Sequence, residues 1–332
     1  MTERSTATRA ATEHLRPDEV GMARAAELLL AGRLVAFPTE TVYGLGGDAT
    51  NGEAVAAVYA AKGRPAFNPL ISHVSDVAMA RRLGGFDPIA EALAEAFWPG
   101  PLTLVVEQAP GCPVSALATA GLTSIALRVP AHPVALDLLR DVGRPIVAPS
   151  ANRSGGVSPT TAEHVLADLS GRIAAVVDGG ATVVGVESTV VACLGGVARL
   201  LRPGGITRGA IERVVGMPLA DAPESVPDAP QGPGMLASHY APRAQLRMDA
   251  REIRPGEAVL LFGRERPAGI DGASVVLNLS EDGDLIEAAA NLFAYLRRLD
   301  ITGAAAIAAT PVPQEELGEA INDRLRRAAA PR

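Results

Sequence analysis

The sequence predicts an α/β protein of two domains, a larger one with a mixed sheet and a smaller one with a parallel sheet. The chain has 332 residues, more than one average domain needs. Its composition is 48% hydrophobic but only 3% aromatic, which favours a core of Ala, Val, Leu and Ile. Short apolar runs alternate with helical patterns on both sides of a proline-rich stretch, as expected for α/β domains.

Short strands and short helices alternate in the N-terminal part. Residues 1–16 are polar and expected to be frayed, and Pro17 can begin a helix that ends at Gly32. Apolar runs bounded by Gly or Pro predict strands at 34–37, 70–74, 102–106, 124–129, 145–148, 174–177, 188–193 and 199–201. Helical spacing predicts helices at 54–61, 89–97, 133–139 and 161–169. These elements indicate one mixed domain over residues 17–215.

A proline-rich segment separates this domain from the rest of the chain. Residues 216–245 form the predicted linker. Positions 218–233 contain five prolines, which resist both helix and central strand. Residues 246–330 form the second predicted domain. Strands at 258–262, 274–279 and 304–308 alternate there with helices at 284–299 and 315–327, which predicts a small Rossmann-like parallel sheet.

Composition also narrows the classes of function. A net charge of −7 counts against sequence-independent nucleic-acid binding, so no stable binding of that kind is expected. Cys112 and Cys193 lack neighbouring Cys or His at ligand spacing, so neither a disulfide framework nor a structural zinc site is predicted. No signal-peptide pattern or membrane-length apolar run is found, and the expectation is a cytoplasmic protein that does not bind membranes.

Three separated stretches carry most of the chemistry. FPTETVYGLG spans 37–46, Lys62-Gly-Arg64-Pro follows a predicted helix, and APSANRSGG spans 148–156. Two cations beside a glycine-bearing loop suit an anionic ligand such as a nucleotide. Taken singly, each stretch also has a structural interpretation, such as a solvated helix end for the two cations.

Single polar residues interrupt the predicted strands. Arg128 lies in IALRVP and Arg202 in LLRPGG. A strand arginine among apolar neighbours needs an anionic partner, because an unpaired buried charge is costly. His73 alternates with Ile71 in another strand, a position that by itself indicates a structural residue.

Seven motifs occur in order along the chain. They are FPTETVYGLG, KGRPxxNPL (62–70), SIALRVP (124–130), APSANRSG (148–155), GVESTVV (185–191), LRPG (201–204) and PGMxxxHYAP (233–242). In this order they closely resemble the threonylcarbamoyl-AMP synthases with a YrdC-type catalytic domain, in the form with an additional C-terminal domain. The resemblance covers about 17–210 and 233–242 by sequence, and 255–330 by architecture.

The resemblance implies a YrdC-like mixed twisted sheet with an open cleft, followed by a Rossmann-like domain. It also implies condensation of L-threonine, bicarbonate and ATP to threonylcarbamoyl-AMP and pyrophosphate, with Mg²⁺ accompanying ATP. A threonylcarbamoyl transferase complex would use the product to form N6-threonylcarbamoyladenosine at position 37 of ANN-decoding tRNAs.

The motif match further implies roles for single residues. The threonine-binding positions are Thr41, His73, Arg128, Ser188 and the backbone at Ala148. The ATP-binding positions are Lys62, Arg64, Asn68, Ser124, Ser150, Asn152, Ser158, Arg202 and Tyr240, with Lys62 and Arg64 also catalytic and no metal-binding residue assigned. The chemistry agrees, because ATP and carboxylated threonine are both anions and fixed cations reduce their repulsion.

Two alternatives remain open from the sequence. Another carbamoyl-adenylate-using transferase, of the hydrogenase-maturation or antibiotic type, would carry further catalytic or zinc-finger domains, and this chain has no CxxC pair. An RNA-binding or ribosome-associated module would also grip phosphates, but the acidic balance and scarcity of aromatic residues count against it.

The segment after the prolines predicts a lid over the cleft. Gly234 would be its hinge and Tyr240 its contact with the nucleotide, so that water is kept from a labile mixed anhydride. The alternative is that His239 and Tyr240 only dock the second domain.

Overall fold

The computed structural model describes residues 11–222 and 239–331. The N-terminal domain has seven helices in the described residues: α1 (Glu19–Leu30), α2 (Gly52–Lys62), α3 (Val77–Leu83), α4 (Pro88–Phe97), α5 (Pro133–Val142), α6 (Ala162–Leu169) and α7 (Arg208–Val215). Its strands are β1 (Glu13–Leu15), β2 (Val35–Pro38), β3 (Tyr43–Asp48), β4 (Ile71–His73), β5 (Gly84–Gly85), β6 (Leu102–Gln108), β7 (Ser124–Arg128), β8 (Ile146–Val147), β9 (Ala175–Val177), β10 (Thr189–Leu194), β11 (Val197–Arg202) and β12 (Ala220–Asp221).

These strands form one mixed sheet. Its order is β1-β9-β2-β3-β8-β4-β7-β6-β10-β11-β12, with β5 paired to β6. Parallel pairs such as β4 with β7 alternate with antiparallel pairs such as β4 with β8. Every residue of β2 and β3 is buried, because helices cover both faces of the sheet. Two apolar clusters, one on α2, α4 and α6 and another on α1 and α5, form that cover.

Local signals explain where the helices begin and end. Asn51 caps α2 by accepting hydrogen bonds from Glu53 N and Ala54 N, and Gly63 ends it at a φ of 61°. A non-glycine residue is strained in this left-handed conformation. Lys62 and Arg64 are therefore held at the C-terminal end of a helix, where the helix dipole favours cations.

The C-terminal domain is a smaller parallel sheet with helices against it. Its strands are β13 (Gln245–Arg247), β14 (Ala258–Leu261), β15 (Val275–Asn278) and β16 (Ala306–Ala309), in the order β13-β16-β14-β15. The helices are α8 (Leu285–Asp300) and α9 (Leu317–Ala329), with a 3-10 turn at Ile270–Gly272. Every pairing in this sheet is parallel. The predicted α/β fold, with a mixed sheet followed by a small parallel one, is confirmed.

The two domains share an apolar core. Val42, Val157 and Val186 of the N-terminal domain pack into the same cluster as Phe293 and other residues of α8. At Gly185 the backbones come so close that a Cβ atom would lie 2.3 Å from Ala289 O. The C-terminal domain is therefore docked tightly beside the loop that carries the GVEST motif.

Several elements differ from the sequence-based expectation, and helices α3 and α7 and strand β13 were not predicted. The N-terminal segment is not frayed throughout, since β1 adds to the sheet edge by pairing with β9. The motif YGLGGD forms the buried strand β3, for which the sequence analysis predicted no element. The glycines are needed there because a Cβ at Gly46 would lie 2.8 Å from Phe37 Cε1.

Part of the predicted linker cannot be compared. Residues 223–238, which include the expected hinge Gly234, lie outside the described residues. Within the described part of 216–245, β12 pairs with β11 of the N-terminal sheet. Within 11–222 and 239–331, no helix combines the length and apolar character that crossing a membrane would need.

Candidate functional site

A cavity lies where the ends of several strands of the N-terminal sheet meet the start of the C-terminal domain. It is a narrow cavity of about 60 Å³ that is partly open to solvent. Its wall combines residues after β2 and β8, the segment before β4 and the last residues of β4, β7 and β11. The loop before β10 and the His239–Tyr240 segment complete it. Residues distant in the sequence therefore share one site.

All five predicted threonine-binding residues line this cavity, namely Thr41, His73, Arg128, Ala148 and Ser188. The sheet register explains their proximity. His73 and Arg128 are direct partners at the ends of the parallel strands β4 and β7. Ala148 follows β8, and its N–H donates to Ile71 O on the same strand as His73.

Arg128 is held in a fixed orientation. Its Nη2 donates to Glu40 Oε1 at 2.7 Å and its Nε to Gly100 O at 3.3 Å. Glu40 also accepts from Ala131 N at 3.1 Å, so both carboxylate oxygens are occupied. An arginine has five N–H donors, and those not used here can bind a ligand carboxylate. Sequence reasoning did not assign Glu40, although its place within FPTETV was a usable signal.

Five of the predicted ATP-binding residues also line the cavity: Arg64, Asn68, Ser150, Arg202 and Tyr240. Arg64 donates to the carbonyls of Asn68 and Pro69, and Arg202 donates to Ser188 O and Oγ. Neither guanidinium forms an ion pair within the described residues. These two cations therefore present positive charge to the cavity without a direct ion pair, although Arg202 interacts with the charge of Glu187.

Burial lowers the pKa of both guanidinium groups but leaves them charged at neutral pH. It lowers the pKa of Arg64 to about 10, and it lowers the pKa of Arg202 as well. Because a guanidinium with a pKa of about 10 remains protonated at neutral pH, Arg64 presents a full charge to a ligand. Buried cations held by carbonyl dipoles suit the phosphates of a nucleotide.

Lys62 and Asn152 lie behind the cavity wall. The Lys62 ammonium donates to Ser150 O at 2.5 Å, to Asn152 O at 2.6 Å and to Asn152 Oδ1 at 3.3 Å. It thereby ties the end of α2 to the loop after β8. Burial, together with the charge of Arg64, lowers the pKa of Lys62 well below its ordinary value. In this structure Lys62 and Asn152 set the shape of the loop that presents Ser150.

The remaining two predicted ATP-binding residues are outside the cavity lining. Ser124 begins β7, at the end opposite Arg128, and pairs with Glu107. Ser158 is buried and its Oγ donates to Glu187 Oε1 at 2.5 Å. Ser158 thus contacts the wall from behind.

Glu187 and His239 also line the cavity, and sequence reasoning did not assign them to it as site residues. Burial by itself raises the pKa of Glu187, but the charges of Arg324 and Arg202 outweigh it, and its pKa falls to about 2. The position of Glu187 just before Ser188 in GVEST was a usable signal. No sequence signal pointed to Arg324, because it lies among many charged residues in an amphipathic helix.

Unpaired polar atoms concentrate at this site. Asn68 Oδ1, His73 Nδ1 and His239 Nδ1 are buried in lining residues without a hydrogen-bond partner, and Arg324 Nη2 is buried just behind them. Of the described residues, only Thr182 has another such atom. Buried polar atoms are nearly always paired, so this concentration marks the place of a polar ligand. Burial lowers the pKa of both histidines to about 3, so they are neutral at pH 7.

Comparisons with known proteins match the whole chain. A family model described as "Telomere recombination" (Sua5_yciO_yrdC) matches residues 27–204. A second, described as "Threonylcarbamoyl-AMP synthase, C-terminal domain", matches residues 206–330. The threonylcarbamoyl-AMP synthase of Bacillus subtilis is 44% identical over 334 residues, covering 97% of this chain and 96% of that protein. That of Pyrococcus abyssi is 43% identical over 321 residues, covering 92% and 93% respectively.

A solved structure agrees with these matches. The crystal structure of P. abyssi Sua5 complexed with L-threonine superposes with a TM-score of 0.87 at 38% identity, covering 96% of this chain and 98% of that one. The resemblance found in the seven motifs is confirmed. Because both domains match in order and the relatives are covered almost from end to end, the chain belongs to the two-domain threonylcarbamoyl-AMP synthase (Sua5) family.

Proposed function

We propose that this protein condenses L-threonine, bicarbonate and ATP to threonylcarbamoyl-AMP and pyrophosphate. The observation that carries the proposal is the cavity itself. It gathers two buried arginines, a partly buried third and three unpaired polar atoms, in a chain whose relatives bear the name of this activity. The arginines suit two anionic substrates that must be brought together against their mutual repulsion.

Threonine would bind at the end of the cavity near β4 and β7. Arg128 would take the amino-acid carboxylate with the N–H groups that Glu40 leaves free. Thr41 also lines the cavity, with its Oγ1 2.8 Å from Thr39 Oγ1, and would offer a hydroxyl for the polar side chain. Neutral His73 has a free ring nitrogen that can hydrogen-bond the amine or carbamate.

ATP would bind with its phosphates between Arg64 and Arg202. Ser150 and Asn68 line the same region, and Tyr240 adds an aromatic face. The threonine amine would first combine with bicarbonate to give a carbamate and water. A carbamate oxygen would then attack the α-phosphorus, forming the new P–O bond while the bond to pyrophosphate breaks. Positioning and charge stabilisation supply the catalysis, and no covalent enzyme intermediate is needed.

Mg²⁺ would enter as the counterion of ATP. The described residues contain no group of three or more His, Cys, Asp or Glu side chains suited to a metal ion. Mg²⁺ in nucleotide sites is commonly held by phosphates, water and one or two carboxylates, so a protein cage is not required. When bound, it would neutralise charge on the phosphates. Glu187 is the nearest carboxylate to this region, and its oxygens are already used by Ser158 and Arg324.

The product is an activated carbamoyl anhydride and needs an acceptor. A threonylcarbamoyl transferase complex would move the group to adenosine 37 of ANN-decoding tRNAs, which places the protein with its partners in the cytoplasm. In this scheme the nucleic acid is bound by the downstream complex, in keeping with the net charge of −7 on this chain.

The test is pyrophosphate release from the full chain. We expect release only when threonine, bicarbonate, ATP and Mg²⁺ are all present, with threonylcarbamoyl-AMP detected by mass spectrometry. Serine lacks one methyl group and should react more slowly, since a methyl-sized pocket discriminates by about 1–3 kcal/mol. Tight RNA binding without pyrophosphate release would instead support an RNA-binding module.

A further inference from the structure

Arg324 of the C-terminal domain reaches the wall of the cavity. It lies in α9, is completely buried, and is the largest fully buried side chain in the described residues. Its Nε donates to Glu187 Oε2 at 2.7 Å and its Nη1 to Asp323 Oδ2 at 2.6 Å. Its guanidinium carbon also lies 5.1 Å from the centre of the Tyr240 ring. One side chain therefore contacts two residues that line the cavity.

The negative charge of Glu187 is unfavourable in a site that binds a nucleotide. Its carboxylate shares the cavity wall with Arg64 and Arg202, the two cations suited to phosphates. A carboxylate so close would repel a triphosphate, because charges in a buried site are poorly screened. Within the N-terminal domain, Glu187 receives a hydrogen bond from the neutral Ser158 and feels the charge of Arg202, with which it forms no ion pair. The ion pair that balances its charge comes from the other domain.

We infer that Arg324 is a positioning residue through which the C-terminal domain completes the ATP site, by neutralising Glu187 and holding Tyr240 against the cavity. This inference rests on the proposed function, since it takes ATP as the ligand. It gives the second domain a role in substrate binding, in addition to its packing against the first.

Docking of the domains does not depend on Arg324 alone. Arg297 of α8 donates to Val157 O at 2.5 Å and to Asp168 Oδ2 at 2.6 Å. Arg208 of α7 pairs with Glu319 of α9 at 2.8 Å. An apolar cluster joins the two domains as well. A variant at Arg324 can therefore lose charge at the cavity while the domains stay together. Arg208→Met is its matched control, because it removes another ion pair between the N-terminal domain and α9.

The experiment measures affinity for α,β-methylene-ATP with Mg²⁺ and L-threonine by calorimetry, since this analogue resists pyrophosphate release. Arg324→Met should raise the Kd at least tenfold, while Arg208→Met should leave it within threefold of the parent. The double variant Glu187→Gln/Arg324→Met removes both charges and should recover most of the lost affinity. Threonine affinity should stay within threefold throughout.

Two results would overturn the inference. One is an unchanged Kd in a folded Arg324→Met protein. The other is a double variant that binds the analogue as weakly as the single variant, which would show that Arg324 does not act through Glu187. If Arg324→Met fails to fold, Arg324→Lys keeps the charge and should bind within threefold of the parent; a tenfold loss there contradicts the inference. Absent turnover in a parent protein that binds the analogue would refute the proposed function alone.

Discussion

The two walls of the cavity are built in different ways. On the wall from the N-terminal domain, Arg64 and Arg202 are held by backbone carbonyls. The wall at the domain interface consists of His239 and Tyr240. Side chains of the C-terminal domain hold Tyr240, and the His239 N–H donates to the Arg327 carbonyl. The first wall is set by the sheet and persists as long as the sheet does. The second exists only while the two domains remain docked.

Tyr240 shows how much the second wall depends on its neighbours. Its φ is 63°, a left-handed conformation that costs a non-glycine residue about 1–3 kcal/mol. The ring stacks on Phe293 at 5.4 Å and meets His239 at 4.1 Å, with Arg324 over its face. Packing against the C-terminal domain offsets the strain. From this comparison we propose that threonine binding belongs to one domain, whereas ATP binding needs both.

The largest effect is expected at the threonine end of the first wall. Arg128→Ala removes the proposed carboxylate partner and leaves Glu40 buried without its ion pair. We expect threonine affinity to fall by about 2–5 kcal/mol, as for other truncations of buried charge pairs. Calorimetric titration with L-threonine measures it. An unchanged affinity in a folded variant would remove Arg128 from the threonine site.

The next largest effects, on turnover and stability, should differ between the two cations of the Lys-x-Arg motif. Arg64→Ala should lower turnover by about 10²-fold or more and leave stability near normal, because its main role is charge stabilisation. Lys62→Ala should lower turnover and also cost about 1–3 kcal/mol of stability, because it leaves the buried acceptors on Ser150 and Asn152 without a donor. Steady-state kinetics and urea unfolding check both. Full activity in the Lys62→Ala variant would contradict the proposed role of Lys62 in the site.

A smaller change should disturb only the second wall. In Gly185→Ala the new Cβ would collide with Ala289 O and the backbone of α8. We expect about a tenfold loss of ATP affinity and a normal threonine affinity. Gly195→Ala is the control, because Gly195 also has a positive φ but has nothing within 4 Å of its Cβ position. Equal losses of both affinities would show that the walls are not independent.

The smallest effect compares one histidine from each wall. His73 and His239 have folded-state pKa values of about 3, below the unfolded value of about 6.5. The unfolded chain therefore binds more protons between these pH values, and stability falls as the pH drops through this window. Each histidine should contribute about 1.4 kcal/mol to the loss between pH 7.5 and 5.5.

Urea unfolding at the two pH values tests this expectation. His73→Gln and His239→Gln should each reduce the pH-dependent loss by about that amount. His14→Gln, at a side chain that is 51% exposed, serves as the control. A pH dependence that neither buried-site variant alters would show that these histidines are not kept neutral by the fold.

Most strands and helices could be predicted because their signals are local. Apolar runs between Gly and Pro indicated β4, β7 and β10 closely. The strand β3 was not predicted because its glycines interrupt the apolar run, and the need for them comes from the close approach of Phe37. In the site, the motif order indicated Arg64, Arg128 and Arg202. No local pattern could indicate the Glu187–Arg324 pair, which exists only because two domains dock.

A crystal structure of the full chain with α,β-methylene-ATP and L-threonine tests the central claim most directly. We expect threonine between Thr41 and Arg128, the phosphates between Arg64 and Arg202, and Tyr240 against the nucleotide. The Glu187–Arg324 pair should remain closed behind them. A nucleotide bound at the carboxyl ends of β14 and β16, away from this cavity, would contradict the claim that both domains build one ATP site.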